Sequence, residues 1–451
     1  MTRCPLYCFS SLVKIIWKGE SVPLFYHFNF RRLRSLVILF LLLSASILYA
    51  SNNREEVKNI LIGRLELLGF ENVSVRIEQS NLVLTYENRV FRDEIKALKK
   101  VLFLLNDVLK RENDLIIKNV DLIPQNRRVP LIVISTETDI LKKFFDKMIN
   151  SEIFAESINL SFDIDEKFEN FPVENKSKNK IDVVFTPKFE TELDAYGDPI
   201  KLRLGIAPGI ETILGRGSYF RGEYIIPLVH RQFEVGDSID GFRPGFINMN
   251  QVFRLPGTAF VSTSFGVFSN NRYGIDLEFR KYWFNGLLNT GLNIGYTGSM
   301  IVYNRQWDIS VMKDFTWFID TGVRLPAYNM TFALNYGQYI NKDKGFRADI
   351  YREFNEVDIG FYINYTKSNL LGDFTSAGFN FSIPIFPDKY SLPRLVRIRP
   401  DKYFRWEYNA KHFVFFHQKK YETGNSIRDF IKRLQPDYIR AQIRKFSPDD
   451  I

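Results

Sequence analysis

The stretch VDIGFYINYT, residues 357–366, alternates between apolar and polar side chains along its whole length. Its odd-numbered positions carry valine, isoleucine, phenylalanine, isoleucine and tyrosine, while aspartate, glycine and asparagine stand among the even-numbered ones. Because successive side chains of a β-strand point to opposite faces, this stretch predicts a strand with one apolar and one polar face. Its length of about ten residues is what a tilted strand needs to cross a bilayer.

The same two-residue period recurs through residues 181–416. Further examples are YGIDLEFRKY (273–282), LNTGLNIGYT (288–297), MTFALNYG (330–337) and AGFNFSIPIF (377–386). Repeated strands with aromatic residues near their ends are typical of a transmembrane antiparallel β-barrel, with lipid outside and a polar lumen inside. A soluble β-sandwich also alternates, but the number of such segments favours the barrel. We therefore predict a barrel over residues 181–416 with about 12 to 16 strands, and 14 as the best estimate because bacterial barrels have even numbers.

A different pattern precedes the barrel, over residues 51–180. Val57, Ile60, Leu61, Leu65 and Leu68 recur at helical spacing, and alternating stretches follow. The predicted order α-β-β-α-β-β-α suits a small α+β domain with helices on one face of a sheet. We expect a structural or docking domain in the periplasm, with a polar linker at 169–180.

The first 50 residues resemble a leader. A basic cluster, Arg31-Arg32-Leu33-Arg34, precedes the apolar run SLVILFLLLSASILYA at 35–50. This order predicts a secretory signal peptide at residues 1–50, and an uncleaved anchor is the alternative. Cys4 and Cys8 are the two cysteines of the chain and both lie in this leader. We therefore expect an exported chain without disulfides or thiolate metal ligands.

The net charge of +9 is unevenly distributed. Residues 1–50 carry +5, residues 387–451 carry +7, and residues 51–386 carry −3. The basic balance therefore does not indicate nucleic-acid binding, and the predicted export excludes it. Residues 417–451 are predicted to form a basic periplasmic tail with a short amphipathic helix. This helix either packs on the barrel rim or contacts an acidic partner.

These features together resemble the YjbH-type exopolysaccharide biosynthesis family of outer-membrane proteins. The motifs that carry the resemblance are LVLTYENRVFR (82–92), YGDPIKLRLGIAPGIETIL (196–214) and GFNFSIPIFPDKYSLPRLVRIRP (378–400). The resemblance implies a cell outer-membrane protein of exopolysaccharide or capsule biosynthesis and export. It also implies outer-membrane lipid, exopolysaccharide and periplasmic polysaccharide-export proteins as partners. The barrel would provide a polar pore or a docking platform for the polymer.

Charged residues on the predicted polar faces are the candidates for the lumen and for polymer contact. They either brace the wall as ion pairs or form a polar track for a glycan. The candidates are Lys201, Arg203, Arg221, Glu223, Arg254, Asp276, Glu278, Arg280, Arg347 and Asp349.

No linear catalytic motif of a hydrolase, zinc protease or phosphate-binding loop occurs in the sequence. His230, His412 and His417 lack a metal-ligand spacing, so we expect no metal site, no cofactor and no enzymatic activity. The alternatives are an Omp85-like assembly or translocation barrel, which SIDGFRPGF (238–246) loosely resembles, and a general porin. A lipid-modifying hydrolase built on one of the three histidines is a further alternative.

Overall fold

A computed structural model of the chain describes residues 54–111, 116–164, 176–192, 201–231, 242–303, 306–369, 372–391, 395–409 and 417–449. Residues 54–451 form one compact unit. The predicted leader with both cysteines and the candidate His412 lie outside the described residues, so the signal peptide stays a prediction.

The first part of this unit, residues 54–164, is an α+β region. Its helices are α1 (54–68), α2 (Glu94–Arg111), α3 (Thr138–Phe145) and α4 (Ser151–Ser157). Its strands are β1 (Glu71–Glu78), β2 (Asn81–Glu87), β3 (Asn119–Asn126), β4 (Val129–Pro130), β5 (Val133–Glu137) and β6 (Asn159–Ser161). The strands pair in the order β1-β2-β3-β5-β6, with β4 beside β3. Helix α4 and strand β6 are additions to the predicted order.

Helix α2 shows why this region folds as a layer. Ile95, Leu98, Val101, Leu102 and Leu105 are buried at the three- and four-residue spacing of one helix face. Its first turn carries an acidic residue and its last turn two basic ones, which complements the helix dipole. Among the described residues no helix is both long and apolar enough to cross a membrane.

A second, large sheet follows, and it confirms the prediction of many antiparallel strands. It consists of β7 (Ile181–Glu192), β8 (Lys201–Gly215), β9 (Ser218–Arg231), β10 (Arg243–Leu255), β11 (Ala259–Phe268), β12 (Arg272–Trp283), β13 (Leu288–Tyr303), β14 (Gln306–Ile309), β15 (Asp314–Leu325), β16 (Met330–Gln338), β17 (Lys344–Phe354), β18 (Val357–Ser368), β19 (Gly372–Pro384), β20 (Val396–Pro400) and β21 (Tyr403–Asn409). Neighbours in sequence pair antiparallel from β7 to β13 and from β15 to β19, and β13 also pairs with β15. Strand β14 folds back on the end of β13.

The two ends of this sheet meet at one stretch of chain, residues 396–409. Strand β20 pairs with β7 in parallel, and β21 pairs with β19 antiparallel. The rings of Phe189 on β7 and Phe404 on β21 are 6.1 Å apart. The sheet therefore curls round on itself, although no single ladder closes it along its full length.

The predicted range of about 12 to 16 strands is confirmed, and the best estimate of 14 misses one strand. Fifteen strands belong to the sheet in the described residues, of which twelve form the run of long antiparallel neighbours. An even count requires the last strand to run antiparallel to the first. Here residues 396–409 close the sheet and run parallel to β7, so they take the thirteenth position around the sheet, after the twelve long strands.

The sheet has the opposite burial pattern to that of a soluble protein. On β12 the side chains of Ile275, Leu277 and Phe279 are 51%, 41% and 37% exposed. The alternate side chains of Asp276 and Glu278 are each only 6% exposed. The same inversion recurs on β15 to β18, where apolar side chains face outward. The sheet thus has an apolar outer face and a polar, charged inner face.

One end of the curled sheet, named here the domain end, packs against the α+β region. The β8–β9 turn is held by a hydrogen bond from the backbone N of Gly217 to the carbonyl O of Arg127 at 2.7 Å. The turn after β12 is held by the side chain of Asn285, which donates to the carbonyl O of Leu160 at 2.7 Å. A single apolar core joins the two parts, since Phe260 and Tyr282 of the sheet belong to the core of the α+β region.

Candidate functional site

The inner face of the sheet surrounds the C-terminal segment of the chain, residues 417–449, named here the tail. The tail is extended at first and then forms the short helices α5 (Ile427–Ile431) and α6 (Pro436–Ile443). Its successive residues contact inward-facing side chains on widely separated strands, from β10 to β19. This pattern requires the tail to run through the interior of the curled sheet.

The tail enters at the end opposite the α+β region, named here the far end. The backbone N of Gln418 donates to Asp343 Oδ2 in the β16–β17 turn at 2.7 Å. Its side-chain oxygen accepts from Ser376 Oγ on β19 at 2.8 Å. The imidazole of His417 stacks on the ring of Phe374, with ring centres 4.6 Å apart. Asp343 is fully buried at this point of entry of the tail.

Tyr421 lies further inside. Its hydroxyl donates to Asp276 Oδ2 on β12 at 2.8 Å, and its ring stacks on Phe268 of β11 with centres 5.3 Å apart. The space for the hydroxyl comes from Gly295 on β13, because a Cβ at that position would overlap it. A Cβ there would also lie 2.7 Å from Thr316 Oγ1. The glycine of β13 is therefore fitted to the tail.

Amide and carboxylate groups hold the next part of the tail. Asn425 donates from Nδ2 to Asn248 Oδ1 of β10 at 2.9 Å, and the backbone N of Ile427 donates to Glu278 Oε2 at 2.8 Å. Ser426 caps helix α5 by accepting from a backbone N–H in its first turn. Gly424 has a φ of 73°, which favours glycine at the bend before this helix.

Charge holds the helical part of the tail at the domain end. Arg428 donates to Asp320 Oδ1 on β15 at 2.7 Å, and Lys432 and Arg433 both bind Asp358 of β18, at 2.9 and 3.2 Å. Residues 417–434 contain five Lys or Arg and two Asp or Glu, a net charge of +3. Since buried charges need partners, these basic side chains of the tail and the inner-face carboxylates of Asp320 and Asp358 compensate each other's burial.

The predicted lumen residues are found mainly in ion pairs and hydrogen bonds of the wall. Arg280 binds Asp320 at 2.7 Å and Glu278 at 3.1 Å. Arg221 binds Glu223 at 2.8 Å.

Arg347 binds Asp349 at 2.9 Å and Glu407 at 3.0 Å. Asp276 receives the hydroxyl of Tyr421, as described above. Arg203 is buried on the inner face of β8, 7% exposed, and Lys201 stands at the start of β8. Polymer contact by these residues stays a prediction.

Arg254 stands apart from the other candidates. Its guanidinium donates to the carbonyl oxygens of Pro130 and Leu131, at 3.1 and 3.0 Å, and to that of Phe162. It therefore joins β10 to the α+β region at the domain end and lies away from the far end of the interior.

A partly buried carboxylate marks the contact between the two parts. Glu94, in the first turn of α2, lies 3.6 Å from the ammonium of Lys402, which follows β20. Burial raises the pKa of Glu94 to about 7, and the charge of Lys402 and a hydrogen bond with Asn88 oppose this rise. Beside it, Arg92 binds Glu356 of the β17–β18 turn at 2.7 Å. These groups link protonation of the α+β region to its docking on the sheet.

The sequence patterns did not reveal the role of the tail. Tyr421 and Gln418 lie outside any amphipathic period, and the predicted site residues all came from the strands. The one available signal was charge, because a basic C-terminal segment follows a mildly acidic middle. Among the described residues no group of three or more His, Cys, Asp or Glu lies close enough together to hold a metal ion.

No known protein family and no curated protein matches the sequence. Two solved structures resemble the fold: OmpT folded in vitro and its loop L8 deletion mutant, an outer membrane protein of Vibrio cholerae. Each is 8% identical with a TM-score of 0.27; the mutant match covers 45% of this chain and 87% of its own. The match to OmpT covers 46% of this chain and 82% of its own. A likeness at 8% identity and a TM-score of 0.27 says nothing about the activity or the partners of this chain.

We withdraw the expectation that the chain is not an enzyme. It rested on the absence of linear motifs, and the two OmpT structures, at a TM-score of 0.27, resemble this chain too weakly to bear on activity. Catalytic groups on a sheet can come together from different strands, so a missing linear motif does not exclude catalysis.

Proposed function

We propose that this chain is an outer-membrane β-barrel protein of exopolysaccharide or capsule biosynthesis and export. Its α+β region faces the periplasm, where it engages polysaccharide-export proteins. Its barrel is a docking platform for the polymer, with the lumen occupied by the tail. Lipid, polymer and export proteins are its partners.

The inverted burial of the large sheet supports the outer-membrane part of this proposal, and the polysaccharide part rests on the resemblance of residues 82–92, 196–214 and 378–400. Ile319 on β15 is 56% exposed, Phe361 on β18 is 64% exposed and Ile363 is 48% exposed. An apolar surface of this kind is unfavourable in contact with water, so it marks a surface that faces a membrane or another protein. Because the inner face of the same strands is polar and charged, the arrangement matches lipid outside and a polar interior.

The path of the tail through the interior supports a docking platform over an open pore. The tail contacts β10, β12, β15 and β19 along the interior. A tail in this position takes up space in the water-filled channel that a general porin needs. No contact described above favours an Omp85-like assembly barrel.

The orientation follows from the two ends. The α+β region and helices α5 and α6 share one core at the domain end. In single-chain outer-membrane barrels the short turns lie on the periplasmic side, and the turns 216–217, 284–286 and 355–356 are short and lie at this end. The domain end is therefore periplasmic and the far end extracellular.

Membrane fractionation tests the barrel. The full chain, expressed with its own leader in a Gram-negative host, should sediment with the outer membrane and migrate faster on a gel before heating than after it. Recovery in the soluble fraction, with one mobility, would refute the membrane assignment.

Deletion of the gene in its own bacterium tests the polymer role. Secreted polysaccharide should fall and return with a plasmid copy. Unchanged secretion in a strain that places the plasmid-encoded protein correctly would refute this role and leave the barrel intact.

A further inference from the structure

The extended part of the tail, residues 417–423, occupies the inner wall in the manner of a ligand. It places two rings on two aromatic faces, His417 on Phe374 and Tyr421 on Phe268. It directs a hydroxyl to the carboxylate of Asp276 at 2.8 Å. Aromatic faces, carboxylates and amides are the groups that bind the rings, hydroxyls and amines of a sugar chain.

The tail is held in this part by hydrogen bonds and ring stacking, contacts that the hydroxyls and rings of a sugar chain can replace, and beyond it by apolar burial. His417 Nδ1 and Gln418 Nε2 are buried without a hydrogen-bond partner among the described residues. Past the bend at Gly424, Ile427 and Ile431 are fully buried in the core. The extended part can therefore leave the wall by rotation at Gly424 while helix α5 stays anchored.

We infer that the wall beneath residues 417–423 is a binding track for a glycan that carries free amino groups, and that the tail occupies it until the polymer competes. This inference rests on the proposed polymer role and names the class of polymer. The charges decide the class. The wall here offers Asp276 and Asp343, and the segment that covers it carries Lys419 and Lys420. An acidic polymer would meet these carboxylates and be repelled.

The other charged groups near the track form pairs within the wall. Arg347 binds Asp349 and Glu407, and Arg272 binds Asp314. Glu422 follows the two lysines and contacts the turn at Ser269 through its backbone. The pairs leave the carboxylates of Asp276 and Asp343 facing the tail.

Two substitutions with opposite expected effects test the track. Tyr421→Phe removes the hydroxyl that holds the tail on Asp276, so the tail leaves the wall in a larger fraction of molecules. A competing glycan should therefore bind about ten-fold more tightly. Asp276→Asn keeps the shape and removes the charge, so binding of an amino glycan falls by about ten-fold. A purely structural role for these residues would weaken binding in both variants.

The measurement is calorimetric titration of the full-length, detergent-folded protein with three hexasaccharides at pH 6. They are a chitosan hexamer with free amines, the matching N-acetylated chitin hexamer, and an oligogalacturonate hexamer. The chitosan hexamer should bind most tightly and the oligogalacturonate least. Stronger binding of oligogalacturonate, or no binding of any hexamer by Tyr421→Phe, overturns the inference. Heat-modifiable mobility of the same samples separates this outcome from failure of the barrel assignment.

Discussion

Substitution of Gly295 by alanine should release the extended part of the tail. A Cβ on this residue would overlap the hydroxyl of Tyr421 and press against Thr316 Oγ1 at 2.7 Å. The strand is held on both sides by continuous ladders, so it cannot retreat, and the tyrosine must move. The move breaks the hydrogen bond to the buried carboxylate of Asp276. Hydrogen bonds to charged groups contribute about 1.5–3 kcal/mol, so the open population should rise by about 10- to 150-fold.

Trypsin provides the assay, because Lys419 and Lys420 stand in the segment that would open. When opening and closing are faster than cleavage, the cleavage rate follows the population of the open form. The rate of cleavage after these lysines, followed by mass spectrometry on folded protein, should rise by about the same factor. Gly63→Ala is the matched control, since a Cβ at residue 63 would have no neighbour within 4 Å and the rate should stay unchanged. Equal rates in Gly295→Ala and the unsubstituted chain would refute the fit between β13 and the tail.

Three further predictions concern the outer face, the wall and pH. Ile319→Arg, on the outer face, should lower the free energy of unfolding in lipid by about 2–4 kcal/mol, measured by urea titration in vesicles; no change would place residue 319 outside the hydrocarbon. Arg280→Ala leaves Glu278 and Asp320 buried with one fewer partner and should lower stability by about 3–5 kcal/mol in the same titration, whereas an effect below about 1 kcal/mol would contradict the pairing. Burial raises the pKa of Glu94 to about 7 from an ordinary 4.5, so the folded state binds this proton more tightly than the unfolded state. The resulting stabilisation of the folded state is complete below pH 4.5 and is lost as the pH rises to 7. Unfolding in detergent should therefore become easier by up to about 3 kcal/mol across that range, and Glu94→Gln should remove this part of the slope; an identical slope in the variant would contradict the assignment.

The residues show why some features could be predicted and others could not. The alternation in 357–366 is a local property, because neighbouring side chains of any strand point to opposite faces. It therefore predicted the inner and outer faces of β18 before any pairing was known. The helical period of α2 is local in the same sense. The best estimate of 14 strands missed one at 396–409, where a single stretch of chain pairs with two different strands.

The candidate site divides in the same way. Asp276, Glu278 and Arg280 could be assigned to the inner face, because β12 alternates strictly. Their partners could not be assigned. Asp320 is 40 residues from Arg280 in the chain, and the choice between a braced wall and a glycan track depends on such distances. The geometry supplies the bracing contacts, while the track is inferred from the tail that covers it.

The periodicity of the residues is enough to predict many strands with one apolar and one polar face, after a helical region of different period. What fills the interior depends on the three-dimensional fold. Tyr421 meets Asp276 across 145 residues of chain, and no periodicity connects them. Periodicity reports the face on which a side chain lies, whereas partners are set by the curvature of the whole sheet and by the path of the tail through it.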